Sequence, residues 1–150
     1  TTPEARINYV ADRVEAIHAV LPDMIVRPDI RWRLKEVWAV QELAGRLQGH
    51  KLDSLESPIA RRKTANYSEW RRLRQTISFP VADHVSSTDN LLTAYQEQAI
   101  DYAIIGDASY IDTVRQSHLA HALNFGGWSQ NVSYGPCRPE EHTTELQLQA

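Results

Sequence analysis

The side chains whose type and clustering most suggest chemistry are basic. Twelve of the 16 Lys and Arg residues lie between positions 27 and 74: Arg27, Arg31, Arg33, Lys35, Arg46, Lys51, Arg61, Arg62, Lys63, Arg71, Arg72 and Arg74. Six acids share that stretch (Asp29, Glu36, Glu42, Asp53, Glu56 and Glu69), so it carries +6, while the remainder, with 4 bases and 13 acids, carries −9. A net charge of −3 therefore hides a basic middle between acidic ends. Such a field attracts a polyanion, most commonly nucleic acid. Arginine outnumbers lysine 13 to 3, and its planar fork matches phosphate bidentately. A GC-rich coding sequence accounts for the same bias without a functional cause. Tyr67 and Trp70 lie among these cations, where aromatic rings stack on sugars or bases. The competing reading is a set of solvated faces with weak local ion pairs to Glu36, Glu42 and Glu69.

Other chemistry has thinner support. His118 and His121 are three residues apart, a helical spacing that lets two imidazoles meet one metal, and Glu97 and Asp101 stand four apart upstream. No Glu-x-x-His pair of the di-iron bundle type occurs, so His118 reads more simply as a hydrogen-bonded histidine on an apolar face. Gly-x-Ser-x-Gly is absent, the single Cys137 has no activating neighbour in sequence, and neither phosphate-cradling glycine pattern appears. Asp107 and Asp112 read as helix N-terminal charges. The expectation is a protein that is not an enzyme and needs no cofactor.

Helical periodicity dominates the elements that must position these residues. Thr2 as N-cap and Pro3 open a helix closed by Leu21-Pro22, with Ile7, Val10, Ala11, Val14, Ile17 and Leu21 as one stripe. A second helix is predicted from about Pro28 to Gly49, with Ile30, Leu34, Val37, Gln41 and Ala44 on its core face and Arg31, Lys35 and Arg46 on another. Residues 50–65 read as a basic loop. A third helix starts from Asn66, carries Trp70, Leu73 and Ile77 inward and ends at Phe79-Pro80. A fourth spans about 81–105, its start less definite near Ser87-Thr88. A fifth, capped by Asp107 or Ser109, places Ile111, Val114, His118, Ala122 and Phe125 on one face. The predicted architecture is all-α, a bundle of about five helices with extended N- and C-terminal segments: a helical domain over 1–126 and an irregular tail over 127–150.

One hundred and fifty residues, 42% hydrophobic and 23% charged, suit one globular domain with a sizeable core. No apolar run approaches the ~18 residues of a membrane span. The opening Thr-Thr-Pro-Glu lacks signal-peptide character and reads as a chain whose initiator methionine was removed.

A chain of this size with an Arg-rich helical middle and tails at both ends resembles the major coat proteins of filamentous archaeal viruses. The resemblance is architectural, covers the whole chain and carries no diagnostic motif. It implies a structural protein that polymerises on double-stranded DNA into a helical virion nucleocapsid, bound to the phosphate backbone without sequence specificity, alone or with a paralogous coat protein. The implied phosphate contacts are Arg31, Lys35, Arg61, Arg62, Lys63, Arg71, Arg72 and Arg74. Arg27, Arg33, Arg46, Tyr67 and Trp70 complete the expected nucleic-acid surface. The alternatives are a helical DNA-binding regulator (which places the chain in the cytoplasm instead of the virion), a small helical metalloenzyme, and a protein–protein adaptor.

Overall fold

In a computed structural model, residues 2–60, 67–106, 109–129 and 147–149 are described. Helices and strands alternate: α1 (Pro3–Val20), β1 (Arg27–Asp29), α2 (Val37–Arg46), β2 (Leu55–Glu56), α3 (Tyr67–Thr76), β3 (Val81–Val85), α4 (Thr88–Gln96), β4 (Tyr102–Ile105), α5 (Tyr110–Ala122), β5 (Gly126–Ser129) and β6 (Gln147–Gln149). The strands form one six-stranded sheet in the order β5-β4-β3-β2-β1-β6, and every pairing is parallel. The fold is α/β, which corrects the all-α expectation.

The helical predictions fail where short buried strands intervene. α1 begins at Thr2, whose hydroxyl accepts the Ala5 N–H, and buries Ile7, Val10, Ala11 and Val14 as the periodicity requires. The single helix expected over 28–49 is instead β1, a turn and α2. Arg31, Trp32 and Lys35 take left-handed backbone angles (φ 55°, 56° and 62°) that no right-handed helix can contain. Arg31 and Lys35 therefore share no helix face with Arg46. The helix expected over 81–105 divides into β3, α4 and β4, with Ser87 capping α4. In α5, capped by Ser109, the buried residues are Thr113, Gln116 and Ala120, while Ile111, Val114 and His118 are exposed, so the helix is turned away from the face its apolar spacing suggested.

From β1 to β5 each successive strand is added on the same side of the last. Because parallel crossovers are right-handed, this order places the connecting helices along one face of the sheet. α1 packs on α2, α2 on α3 and α4 on α5 along that face. Leu55, Val81, Val85, Ala103 and Ile105 point toward it and join Val14, Val40, Leu43, Trp70, Leu73 and Leu91 in the core.

The register defines the other face. Arg27 and Asp29 on β1, Glu56 on β2, Ala82 and His84 on β3, Tyr102 and Ile104 on β4, and Gly126 and Trp128 on β5 all project from it. In a flat sheet β1 and β5 would stand about 19 Å apart, four steps of about 4.8 Å. Yet the Arg27 Cζ lies 3.8 Å from the centroid of the Trp128 ring. The sheet must curve inward to allow this contact, as the wall of a β/α barrel does.

Candidate active site

Three carboxylates stand toward the carboxyl ends of neighbouring strands: Asp29 ends β1, Glu56 ends β2 and Asp83 lies in β3 beside His84. Each is 27 residues from the next, the length of one strand-and-helix unit. Asp29 and Glu56 are register partners, so their side chains leave the same, concave face together. His84 shares that face, and its Nε2 lies 3.4 Å from Glu56 Oε1. Glu56 is 1% exposed, and among the described residues its Oε2 has no hydrogen-bond partner. A buried carboxylate oxygen without a donor is costly, so this atom is poised to accept one from a ligand.

Asp29 is under electrostatic stress. Burial pushes its carboxyl above the ordinary value, and the neighbouring Glu56 charge pushes it the same way. The Arg31 backbone N–H, which donates to Asp29 Oδ1 at 2.9 Å, the Arg31 guanidinium and His84 oppose that shift. Two adjacent acids thus sit in different settings, one facing an imidazole and one whose carboxyl is pushed above its ordinary value.

A second layer fixes these groups. Asp83 Oδ1 accepts hydrogen bonds from the Trp32 indole N–H (2.9 Å) and the Ser57 hydroxyl (3.0 Å). The Trp32 ring is tilted over the His84 ring, with centroids 5.4 Å apart. The Trp32 backbone N–H donates to the Ser57 carbonyl. Arg31, Trp32 and Ser57 (φ 47°) all adopt left-handed backbone angles immediately after β1 and β2. Non-glycine residues hold such angles at a cost of order 1–3 kcal/mol each, and they concentrate at functional sites. Trp32 remains partly exposed, forming an aromatic rim above the imidazole.

The residues expected to contact nucleic acid are distributed differently. Arg27 is buried on the concave face, bonded to Asp53 (2.7 Å) and stacked on Trp128. Trp70 belongs to the core, and Tyr67 packs against it. Arg71 pairs with the Glu97 carboxylate and main-chain carbonyl, while Arg74 pairs with Asp101. Arg46 bonds Asn8 and lies 3.5 Å from Asp12 on α1. Arg33, Lys35 and Arg72 are exposed, and Arg31 stands at the site's rim beside Asp29. Arg61, Arg62 and Lys63 lie outside the described residues. Composition drew attention to these cations. The groups that converge are Asp29, Glu56, Asp83, His84, Trp32 and Ser57, which sequence reasoning missed. Their signal was the even 27-residue spacing of the acids Asp29, Glu56 and Asp83.

Comparison with known proteins agrees with the α/β reading. No protein-family model and no curated protein matches the chain in sequence. Solved structures do match in fold. They include a mandelate racemase/muconate lactonizing protein from Herpetosiphon aurantiacus (TM-score 0.74, 17% identity, covering 82% of this chain and 36% of that one). An N-succinyl Arg/Lys racemase from Bacillus cereus matches similarly (0.74, 18%, 82% and 35%). So does a muconate lactonizing enzyme from Pseudomonas fluorescens complexed with muconolactone (0.73, 20%, 82% and 34%). The chain thus spans about a third of the length of these structures. These neighbours overturn the resemblance to filamentous-virus coat proteins and the expectation of a non-enzymatic DNA-coating protein. They give no support to the DNA-binding regulator. The fold this chain shares is one of racemases and muconate lactonizing enzymes.

Proposed function

We propose that this chain forms one wall of the active site of a β/α enzyme that catalyses proton-transfer isomerisation of a carboxylic acid. His84, oriented by Glu56, is the proton acceptor, and Asp29 is the donor. The observation that carries this reading is the row Asp29–Glu56–His84 on one concave face, at the carboxyl ends of three adjacent parallel strands. Ligands of such sheets bind at those ends.

The chemistry follows from the environments. A racemase removes a proton from a stereocentre and returns one, so it needs an acid and a base in different protonation states within reach of one carbon. Neighbours that push two titratable groups apart supply that pair. The carboxyl of Asp29, raised by burial and by Glu56, holds its proton more tightly than an ordinary aspartate does. Glu56 holds the imidazole by one edge through its Oε1 and leaves Oε2 to accept a ligand donor. Trp32 covers the imidazole and limits water access, while Arg31 offers a guanidinium to a substrate carboxylate at the rim.

Enolase-superfamily sites combine a Lys or His base with one or two Mg²⁺ ions. Asp29, Glu56 and Asp83 are the carboxylates such an ion would draw on; among the described residues no three His, Cys, Asp or Glu side chains already stand close enough together to enclose one, and no step above runs through one.

The test is proton exchange, followed by NMR in D₂O, of mandelate, N-succinyl-arginine, N-succinyl-lysine and muconolactone with the full-length protein. The expected result is exchange of the proton next to a carboxyl carbon in at least one of these. It should fall by roughly 10²-fold or more in His84→Asn, the usual contribution of a positioned acid–base group. Exchange that is undiminished in His84→Asn, or absent with the whole panel, would remove the reading.

A further inference from the structure

We infer that His18 and His50 form a binding site for a transition-metal ion that prefers imidazole, at the end of the sheet opposite the Asp29–Glu56–His84 row. The inference stands independently of the reaction proposed above. His18 lies near the end of α1, ahead of β1, and His50 lies in the connection between α2 and β2. Both therefore sit by the amino ends of the two strands whose carboxyl ends carry Asp29 and Glu56.

The two rings meet nitrogen to nitrogen. Their Nδ1 atoms are 2.8 Å apart, and the His18 Nε2 lies 2.8 Å from the Met24 carbonyl oxygen. A carbonyl only accepts, so the His18 Nε2 carries a hydrogen, and in the neutral ring its Nδ1 presents a lone pair. His50 fills the gap with a hydrogen on its own Nδ1. The ring planes differ by 12° and the centroids are 4.9 Å apart, well beyond the nitrogen separation, so the rings face each other edge to edge. Metal-ligating histidines are held as His18 is: the far N–H goes to a backbone carbonyl, which fixes the tautomer and aims the other nitrogen.

A metal ion takes the place of the one hydrogen between these nitrogens. His50 then carries its proton on Nε2 instead of Nδ1, exchanged through solvent, so the neutral pair binds without net proton release. Zn–N bonds of about 2.0–2.1 Å in a tetrahedral array set two nitrogens about 3.3 Å apart. The pair therefore opens by only about half an ångström to admit the ion. His50 has room to do so, because it follows Gly49 (φ 87°), lies outside α2 and is half-buried. Asp23 and Lys51, next in sequence to Met24 and His50, bond each other at 2.5 Å and bring no net charge. Among the described residues no third His, Cys, Asp or Glu completes a cluster, so water fills the remaining positions. Two nitrogen donors select Zn²⁺, Ni²⁺ or Cu²⁺ over Mg²⁺, which takes oxygen ligands. A bound ion would tie α1 to the segment that feeds β2, where the Val26 N–H already donates to the Lys51 carbonyl.

The test is titration of the full-length protein with Zn²⁺ at about pH 8, because metal ligands must be deprotonated. Calorimetry reads the affinity, and long-range proton–nitrogen NMR reads the imidazole tautomers. The expected result is that one ion shifts the ring resonances of both His18 and His50 and moves the His50 hydrogen to Nε2. Mg²⁺ should leave these two rings unmoved. His18→Gln and His50→Gln should each weaken that binding by roughly tenfold or more, since even an outer partner of a ligand is worth that much. Uptake that is equal in both variants and the unaltered protein, with the two rings unmoved, would place the ion elsewhere and overturn the inference. Absence of any uptake would overturn it as well. If either variant unfolds, the ring resonances of the unaltered protein decide alone.

Discussion

The two faces of the sheet are built to different rules. The helix-covered face presents Leu55, Val81, Val85, Ala103 and Ile105 to a core of α-helical side chains, all almost fully buried. The concave face presents Arg27, Asp29, Glu56 and His84, and Arg27 and Glu56 are buried too. Burial alone therefore does not distinguish them. On one face it removes apolar surface from water and stabilises the fold. On the other it raises the carboxyl of Asp29, leaves Glu56 Oε2 without a donor among the described residues, and holds Arg27 between the Asp53 carboxylate and the Trp128 ring. The second face costs stability, and function is the reason to carry that cost.

The largest expected effect tests this division across two neighbouring residues. Leu55 and Glu56 are consecutive in β2 and both are at most 1% exposed. Leu55→Ala should cost about 3 kcal/mol in denaturant unfolding, the usual range for a core leucine. Glu56→Gln keeps the shape, relieves the repulsion with Asp29 and weakens the contact with His84. Its net effect on stability should be about 1 kcal/mol or less, while proton exchange should be lost. A Glu56→Gln protein as unstable as Leu55→Ala would mean that the concave face is simply core.

The division also explains which parts of the fold were legible in the sequence. α1 was readable because its stripe keeps helical spacing over 18 residues and Thr2 caps it. α3 and the α5 cap at Ser109 were readable for similar local reasons. The strands were not. β1 and β2 hold three and two residues, too few for any periodicity. β4, Tyr-Ala-Ile-Ile, is buried on both faces, and such strands read as continuous apolar runs without alternation. Joined to α4 by residues 97–101, which include the buried Ala99 and Ile100, that run imitates a helical stripe. The basic stretch was legible as composition. Its meaning was not, because Arg27, Arg71 and Arg74 each meet an acid 26 or 27 residues further along the chain, one strand-and-helix unit away. The acids of the site escaped notice for a related reason: Asp29, Glu56 and Asp83 are brought together only by parallel register.

A finer contrast lies in β5. Gly126 and Gly127 are adjacent and point to opposite faces. A Cβ on Gly127 would run into the Ala103 main-chain carbonyl and lie 3.3 Å from the Ala103 nitrogen, in the strand it pairs with. One on Gly126 would meet the Tyr102 ring at 2.6 Å, and that ring is part-exposed and able to swing aside. Gly127→Ala should therefore cost about 2 kcal/mol by overpacking against backbone, and Gly126→Ala about 1 kcal/mol or less. Thermal unfolding of the two variants, side by side, measures the difference. Equal costs would mean that the concave face at β5 is as tightly filled as the helix-covered one.

The smallest effect is a gain. A carboxyl whose folded value lies above its ordinary one of 3.8 binds its proton more tightly in the folded chain than in the unfolded one. Stability then falls as pH rises through the ordinary carboxylate range toward the folded value, and that loss persists at neutral pH. Asp29→Asn removes the charge while keeping an oxygen for the Arg31 N–H. Relative to the unaltered protein, the variant should gain stability between acid and neutral pH, with no gain below the ordinary carboxylate value. It should also lose proton exchange, because the amide cannot donate and recover a proton as the acid does. A pH-independent difference between the two unfolding curves would show that neither burial nor Glu56 strains Asp29 in the folded state. The concave face would then lack the raised acid on which its proposed chemistry depends.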